Sequence, residues 1–309
     1  MFRRTYLGLE IRADELRAIA VQRRRGGLAL LGERTRRLNE GVLTLQAREP
    51  NILQPEPFMT AVREVLGPLT RRENRIAVAL PDAVGHLFLL DLETPPGKQQ
   101  EGEEMVRWRL KELLPAQFKR VALAYQVLEE RDSGSKRVLV STVAREILQQ
   151  YEEELARAGF GAALIDFHSL NIYNAYRSRI DLGNDFVVVS VAGGQLSLLV
   201  FENRRLEFFR VKSMPSAIET IFHELDRSLL GYRQTHSGFG RYAVYLHSDW
   251  EQCEELRAAI QALFEKEVEV LPSPLHPLLN TEQLAIPSTT ANGLAAALGV
   301  AERLIPRLG

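Results

Sequence analysis

Few residues of this 309-residue chain have the type and spacing to do chemistry. The first candidate is the pair Gly193-Gly194, set between two apolar runs. Such a turn can present consecutive backbone N–H groups as a nest for phosphate. It can equally be a tight hairpin with no ligand, and both readings stay open. The six histidines are His86, His168, His223, His236, His247 and His276. None falls at the HxxxH or HExxH spacing that puts two ligands on one helix face, so no metal site is expected. The lone Cys253 excludes an intrachain disulfide and a multi-cysteine metal site. It reads as a half-buried helix residue in a reducing compartment. No G-x-S-x-G and no Walker A sequence occurs. The runs Arg23-Arg24-Arg25 and Arg71-Arg72 can touch phosphate or anionic lipid, but read as solvated turns. Trp108 stands in a mostly charged stretch where Val106, Arg109, Leu110 and Leu113 fall at helical spacing, on a different face from Val106. It is either an interface anchor or a core tryptophan.

The composition narrows the setting. With 45% apolar and 26% charged residues the chain is globular rather than disordered. Its length suits two ordinary domains, or one with an insertion. Lys and Arg number 39 against 40 Asp and Glu, so no nucleic-acid partner is expected. The opening MFRRTYLGLE lacks an apolar core of signal-peptide length. The longest apolar stretch, Phe186 to Phe201, is interrupted by Ser190, Gly193, Gly194, Gln195 and Ser197, so no membrane span is expected. The expected location is the cytoplasm, with any membrane association through a partner.

These candidates need a frame to hold them. Thr5–Ile11, Leu16–Gln22 and Leu28–Arg36 read as three strands, with turns at Arg12–Glu15 and Arg23–Gly27. A helix over Pro57–Leu66 and a strand over Arg75–Leu80 follow. An insertion begins near Ala83. It holds a strand to Leu92, a Pro95-Pro96 turn, a helix from Lys98 to Leu114, and the strands Val121–Glu129 and Arg137–Val143 joined through Asp132-Ser133-Gly134. Ala144–Ala158 is a helix closed by Gly159. A strand over Ala162–Asp166 and a helix over Ser169–Arg177 complete this half. At Asp185 the pattern restarts: strands Phe186–Val191, Gln195–Phe201 and Arg205–Val211, helix Ser216–Tyr232, strand Tyr242–Leu246, helix Glu251–Lys266, strand Glu267–Leu271. An Ala/Leu-rich helix over Thr290–Arg303 ends the series.

One plan, strand–strand–strand–helix–strand–helix–strand, therefore occurs twice. Each copy opens with a meander and not a βαβ unit. This is the plan of the actin, Hsp70 and sugar-kinase class. The expected fold is α/β, a duplicated actin-like (ribonuclease H-like) fold with a cleft between two domains. The expected division is 1–183 for the first domain, with an inserted α+β subdomain at about 83–158, then 184–289 for the second. Residues 290–309 form a C-terminal helix returning to the first domain. In that class the two leading hairpin turns face each other and hold nucleotide phosphates.

Val106-Arg107-Trp108-Arg109-Leu110-Lys111-Glu112-Leu113-Leu114-Pro115, followed by VALAYQVL at Val121–Leu128, resembles PilM-type pilus assembly proteins. Val138–Glu146, Tyr151–Ala163, Leu164-Ile165-Asp166 and ELDRSLLGYRQ at Glu224–Gln234 agree in order, so the resemblance spans nearly the whole chain. Related families are the MshI-like pilus proteins and the cytoplasmic domains of type II secretion L-proteins. The resemblance implies a cytoplasmic scaffold of the inner-membrane assembly platform, holding the extended tail of a PilN-type membrane partner. The tail's expected place is a groove between the first meander and the inserted subdomain, with Trp108, Arg109, Leu113, Leu114 and Pro115 as candidate contacts.

It also implies a nucleotide cleft, from which this sequence departs. The family's first turn, G-(I/L)-D-I-G-S, reads here Gly8-Leu9-Glu10-Ile11-Arg12-Ala13. Glu10 is a methylene longer than Asp, and Arg12 puts a side chain where backbone should approach phosphate. The second turn keeps Gly193, Gly194 and Gln195 but has Ser190 where an acidic residue belongs. The adenosine-side L-S-G-G becomes Leu246-His247-Ser248-Asp249; only Ala291-Asn292-Gly293-Leu294-Ala295 keeps its form. Hydrolysis needs Mg²⁺ on acidic groups and an oriented water. The expectation is a pseudo-ATPase with at most weak binding of ATP with Mg²⁺. Arg12 is expected in a surface ion pair, with phosphate pairing as the alternative. Alternative functions are an active actin-like ATPase and a nucleotide-dependent filament former.

Overall fold

The computed structural model describes residues 4–25, 27–70, 73–93, 99–113, 120–130, 134–214, 217–236, 238–279 and 286–306, with the backbone alone for 99, 100, 112 and 113. Arg71, Arg72, Pro95, Pro96, Lys98, Leu114, Pro115, Asp132, Ser133 and Ser216 lie outside the described residues, as does the side chain of Leu113.

The first meander is β1 (Thr5–Ile11), β2 (Glu15–Arg24) and β3 (Gly27–Arg37), followed by α1 (Pro55–Leu66) and β4 (Arg75–Leu80). The inserted elements are β5 (Gly85–Leu92), α2 (Gln99–Leu113), β6 (Val121–Glu130) and β7 (Lys136–Ala144). The first plan resumes with α3 (Arg145–Arg157), β8 (Gly161–Phe167) and α4 (His168–Arg177). The second copy runs β9 (Phe186–Ala192), β10 (Gln195–Glu202), β11 (Arg205–Ser213), α5 (Ile218–Thr235), β12 (Ala243–Ser248), α6 (Cys253–Phe264) and β13 (Glu269–Val270). The chain then forms α7 (Ser288–Gly293) and α8 (Ala295–Glu302).

The duplication is exact in topology. One sheet has the order β3-β2-β1-β4-β8 and the other β11-β10-β9-β12-β13. In each, the leading strand pairs antiparallel with its hairpin partner and parallel with the fourth strand of the copy. β1 and β9 are buried at every residue, as central strands covered on both faces must be. The outer faces carry separate cores: Phe58, Val62, Ile147 and Tyr151 with the first sheet, Leu225, Leu229, Leu256 and Ile260 with the second. A third core, with Ala77, Ile172, Tyr176, Phe186, Leu199 and Ala296, joins the inner faces through α4 and α8.

Three expectations are corrected. The insertion ends with β7: Ile147, Tyr151 and Leu155 of α3 pack in the first core, so this helix belongs to the repeated plan. The inserted three-stranded sheet, order β5-β7-β6, has its own small core with Val106 and Leu110 of α2. The strand expected over Glu267–Leu271 shrinks to β13. The single helix expected over Thr290–Arg303 is two helices meeting at Leu294. At that junction the Gly293 carbonyl accepts a hydrogen bond from Arg12 Nη2 at 2.9 Å, so a carbonyl of the helix ladder is given to another unit.

Candidate functional site

The parallel strands β4, β8 and β12 point their carboxyl ends, Leu80, Phe167 and Ser248, into one crevice, where open α/β sheets place their sites. The hairpin turns after β1 and β9 reach the same place. Gly193 and Gly194 have φ of 59° and 71°, the doubly left-handed backbone of a two-residue type I′ hairpin, which glycine adopts without strain. A Cβ on Gly193 would lie 3.1 Å from Arg12 Nε, so the second turn is laid directly against the first turn's arginine.

Arg12 is only 5% exposed, which overturns the surface ion pair. Its Nε donates to Glu10 Oε1 at 2.6 Å and its Nη1 to Asp249 Oδ2 at 2.7 Å and Glu15 Oε1 at 3.2 Å. Arg17 Nε donates to Glu15 at 2.6 Å, and Arg17 Nη1 lies 3.8 Å from Asp249. The cluster thus alternates cations and carboxylates, as buried charges require. Burial opposes ionisation of Glu10, but Arg12 first and His168 next outweigh it and hold the carboxyl at about 2. Burial likewise disfavours the Arg12 cation, yet Glu10 and Asp249 raise its pKa above the ordinary value.

The polar layer continues beside this cluster. His168 Nδ1, at the start of α4, is 2.8 Å from Glu10 Oε1. The Asp82 carboxylate accepts from Ser169 N at 3.0 Å and Ser169 Oγ at 2.5 Å, and burial raises its pKa against those bonds. Gln195 Oε1 accepts from Asp82 N at 3.2 Å, tying the second hairpin to the first sheet. The Tyr176 hydroxyl is 2.8 Å from His247 Nδ1; burial pushes His247 down to about 4, against the pull of Asp249. Ser190 is buried in β9 opposite Ser197 and His247. Ser248 accepts from Asn292 Nδ2 on its carbonyl at 2.9 Å.

Glu10, Arg12, Gly193, Gln195, Ser248 and Gly293 therefore converge. Gly8 does not join them: a Cβ there would sit 2.1 Å from the Ala297 carbonyl oxygen, so this glycine serves the close approach of α8 to β1. Gly293 needs no side chain because Arg17 Nη1 would lie 1.3 Å from its Cβ. Asp82, His168 and the pairing role of Asp249 were missed in the sequence. The available signal was their position just past the strand ends, Pro81-Asp82 after β4 and His168 after β8.

A nucleotide-bound magnesium needs carboxylate oxygens with room for water; here Glu10 Oε1 faces Arg12 and His168, Glu10 Oε2 is buried with no hydrogen-bond partner among the described residues, and β9 carries Ser190 rather than a carboxylate. Arg12 lies against Gly193, whereas a Cβ on Gly194 would meet nothing within 4 Å. Among the described residues no group of three or more His, Cys, Asp and Glu could hold a metal ion.

A second feature is a groove of about 250 Å³ between the inserted sheet and the first sheet. Its walls include Ala122, Leu123 and Ala124 of β6 and Ala162, Ala163 and Leu164 of β8. Both are end strands of their sheets, so their outer edges carry backbone groups outside any ladder. The groove faces β8 and α3, and β3 forms the opposite edge of that sheet. Trp108 is 62% exposed on α2, two residues from the inward-facing Val106 and Leu110, which overturns the core-tryptophan reading. Trp108 and Arg109 are not among the groove's described lining. No helix among the described residues is long and apolar enough to cross a membrane.

No family model and no curated protein matches this sequence. Solved structures do. A chain of the PilM-PilN type IV pilus biogenesis complex superposes with a TM-score of 0.81 at 20% identity, covering 96% of this chain and 98% of that one. The ethanolamine utilization protein EutJ from Carboxydothermus hydrogenoformans superposes with a TM-score of 0.52 at 13% identity, over 97% and 90% of the two chains. A Bacteroides thetaiotaomicron protein with an actin-like ATPase fold and unknown function gives 0.52 at 13% identity, over 89% and 92%. The duplicated sheets thus have the actin-like ATPase fold.

Proposed function

We propose that this chain is a PilM-type scaffold of a type IV pilus or type II secretion-like assembly platform. It works in the cytoplasm, is held at the inner membrane by the tail of a PilN-type partner, and does not hydrolyse ATP. The observation that carries this reading is the groove between β6 and β8. An extended tail can pair with either strand edge, and Ala122, Ala124, Ala162 and Ala163 leave a backbone room to approach. The similarity to a chain of a PilM-PilN complex over almost the full length supports the same partner.

The functional division follows the sheets. Residues 1–183 with the inserted unit receive the tail, residues 184–289 form the second domain, and residues 290–309 belong with the first. The Arg12 cluster replaces nucleotide as the tie between the halves, so ATP with Mg²⁺ binds weakly at most and plays no catalytic part. Calorimetric titration with the cytoplasmic tail of the cognate PilN-type protein tests the reading. Saturable binding that is lost in Ala163→Arg, at an exposed position of β8, is expected. Absence of binding, or binding indifferent to this substitution, would overturn it.

A further inference from the structure

The second half carries a different groove, of about 740 Å³, between β11 and α5. Phe208, Arg210 and Lys212 line its strand side and Arg227, Gly231 and Tyr232 its helix side. β11 is the end strand of its sheet. The charge here has one sign in excess. Arg210 at 3.6 Å, Lys212 at 2.9 Å and Arg227 all converge on the single carboxylate of Glu224, whose side chain is 6% exposed. Three cations on one carboxylate leave two positive charges, and Arg227 remains 66% exposed. Asp226 lies 3.9 Å from Arg233, and neither it nor the 90% exposed Glu219 is among the groove's lining.

The helix wall adds an independent observation. Gly231 sits inside α5, where glycine costs the helix stability. A Cβ there would meet nothing within 4 Å, so no packing inside this chain demands the glycine. Leu230 beside it is 58% exposed. A helix face that keeps a bare backbone and an arginine one turn away suits a chain lying close along it. The ELDRSLLGYRQ segment, which the nucleotide cleft does not use, supplies this face.

We propose that this groove seats an extended acidic segment of a partner protein, its carboxylates on Arg210, Lys212 and Arg227 and its main chain over Gly231. The site is separate from the β6–β8 groove and does not rest on the pilus reading. Random linear peptides displayed on phage and selected on the full chain provide the test. Acidic residues interspersed with apolar ones should be enriched, and the selected peptides should bind more weakly as salt rises. Arg227→Glu and, separately, Gly231→Gln should each weaken them by about tenfold or more, while Ala163→Arg leaves them unchanged. Circular dichroism should show both variants folded. Selection of no peptide, enrichment without acidic residues, or binding as tight to both variants as to the wild-type chain would overturn the proposal. Binding of the chain to phosphatidylserine vesicles that the same substitutions abolish would assign the groove to a membrane and overturn it as well.

Discussion

Arg12 Nη1 donates to Asp249 Oδ2 at 2.7 Å, joining the turn after the first central strand to the segment after β12, 237 residues away. Both side chains are more than nine-tenths buried. Removing one member of such a pair leaves the other charge buried without compensation, which typically costs about 3–5 kcal/mol. Arg12→Met should destabilise the chain by about that amount in urea unfolding, since Glu10, Glu15 and Asp249 all lose a counter-charge. A double-mutant cycle with Asp249→Leu should give a coupling of about 1 kcal/mol or more. A loss under about 0.5 kcal/mol for Arg12→Met would show that the cluster does not tie the halves together.

Acid should open the same layer in two stages. His247 has its folded pKa depressed to about 4 from an ordinary 6.5, so the fold favours the neutral ring. Its contribution is complete above pH 6.5 and falls as pH drops toward 4, by up to about 3 kcal/mol. Glu10, held at about 2 against an ordinary 4.5, contributes fully above pH 4.5 and is lost as pH falls toward 2. Thermal melts from pH 7 to 4 should show a falling midpoint whose slope flattens in His247→Leu. An equally steep slope in that variant would place the titration elsewhere.

Gly8 and Gly299 are required for helix packing. Added Cβ atoms would meet the Ala297 carbonyl oxygen at 2.1 Å and the Asn171 carbonyl oxygen at 1.9 Å, and neither backbone can step aside cheaply. Gly8→Ala and Gly299→Ala should each cost about 1–3 kcal/mol through overpacking. Gly161→Ala, which would meet nothing within 4 Å, is the control and should change stability by about 0.5 kcal/mol or less.

Rebuilding the cleft tests the proposed loss of nucleotide chemistry. The wild-type chain should show no Mg²⁺-dependent ATP turnover, and calorimetry should register at most weak nucleotide binding. Combining Glu10→Asp, Arg12→Gly and Ser190→Asp places carboxylates before both turns and removes the side chain that lies against Gly193, so Mg²⁺-dependent binding should appear or strengthen. Turnover by the wild-type chain would refute the inactive reading.

Trp108 separates partner contact from folding. With 62% of the residue exposed, Trp108→Ala should leave unfolding stability within about 0.5 kcal/mol. A larger loss in urea unfolding would mean that the ring packs within the inserted unit.

The amino-acid sequence by itself determined where most strands and helices lie and that one plan occurs twice. Those features depend on local periodicity: TYLGLEI and FVVVSVA are largely apolar runs, each carrying one site residue, Glu10 or Ser190, as buried central strands of two covered sheets do. The hairpin at Gly193-Gly194 was legible for the same local reason. What became of Arg12 was not, because its partners Asp249 and Gly293 are 237 and 281 residues away, and their approach depends on how the two sheets meet. The same distance hid the purpose of Gly8, the break at Leu294 and the groove between β6 and β8. Only the tertiary structure decided these, since a side chain's burial and charge partners are set by what the rest of the chain brings against it.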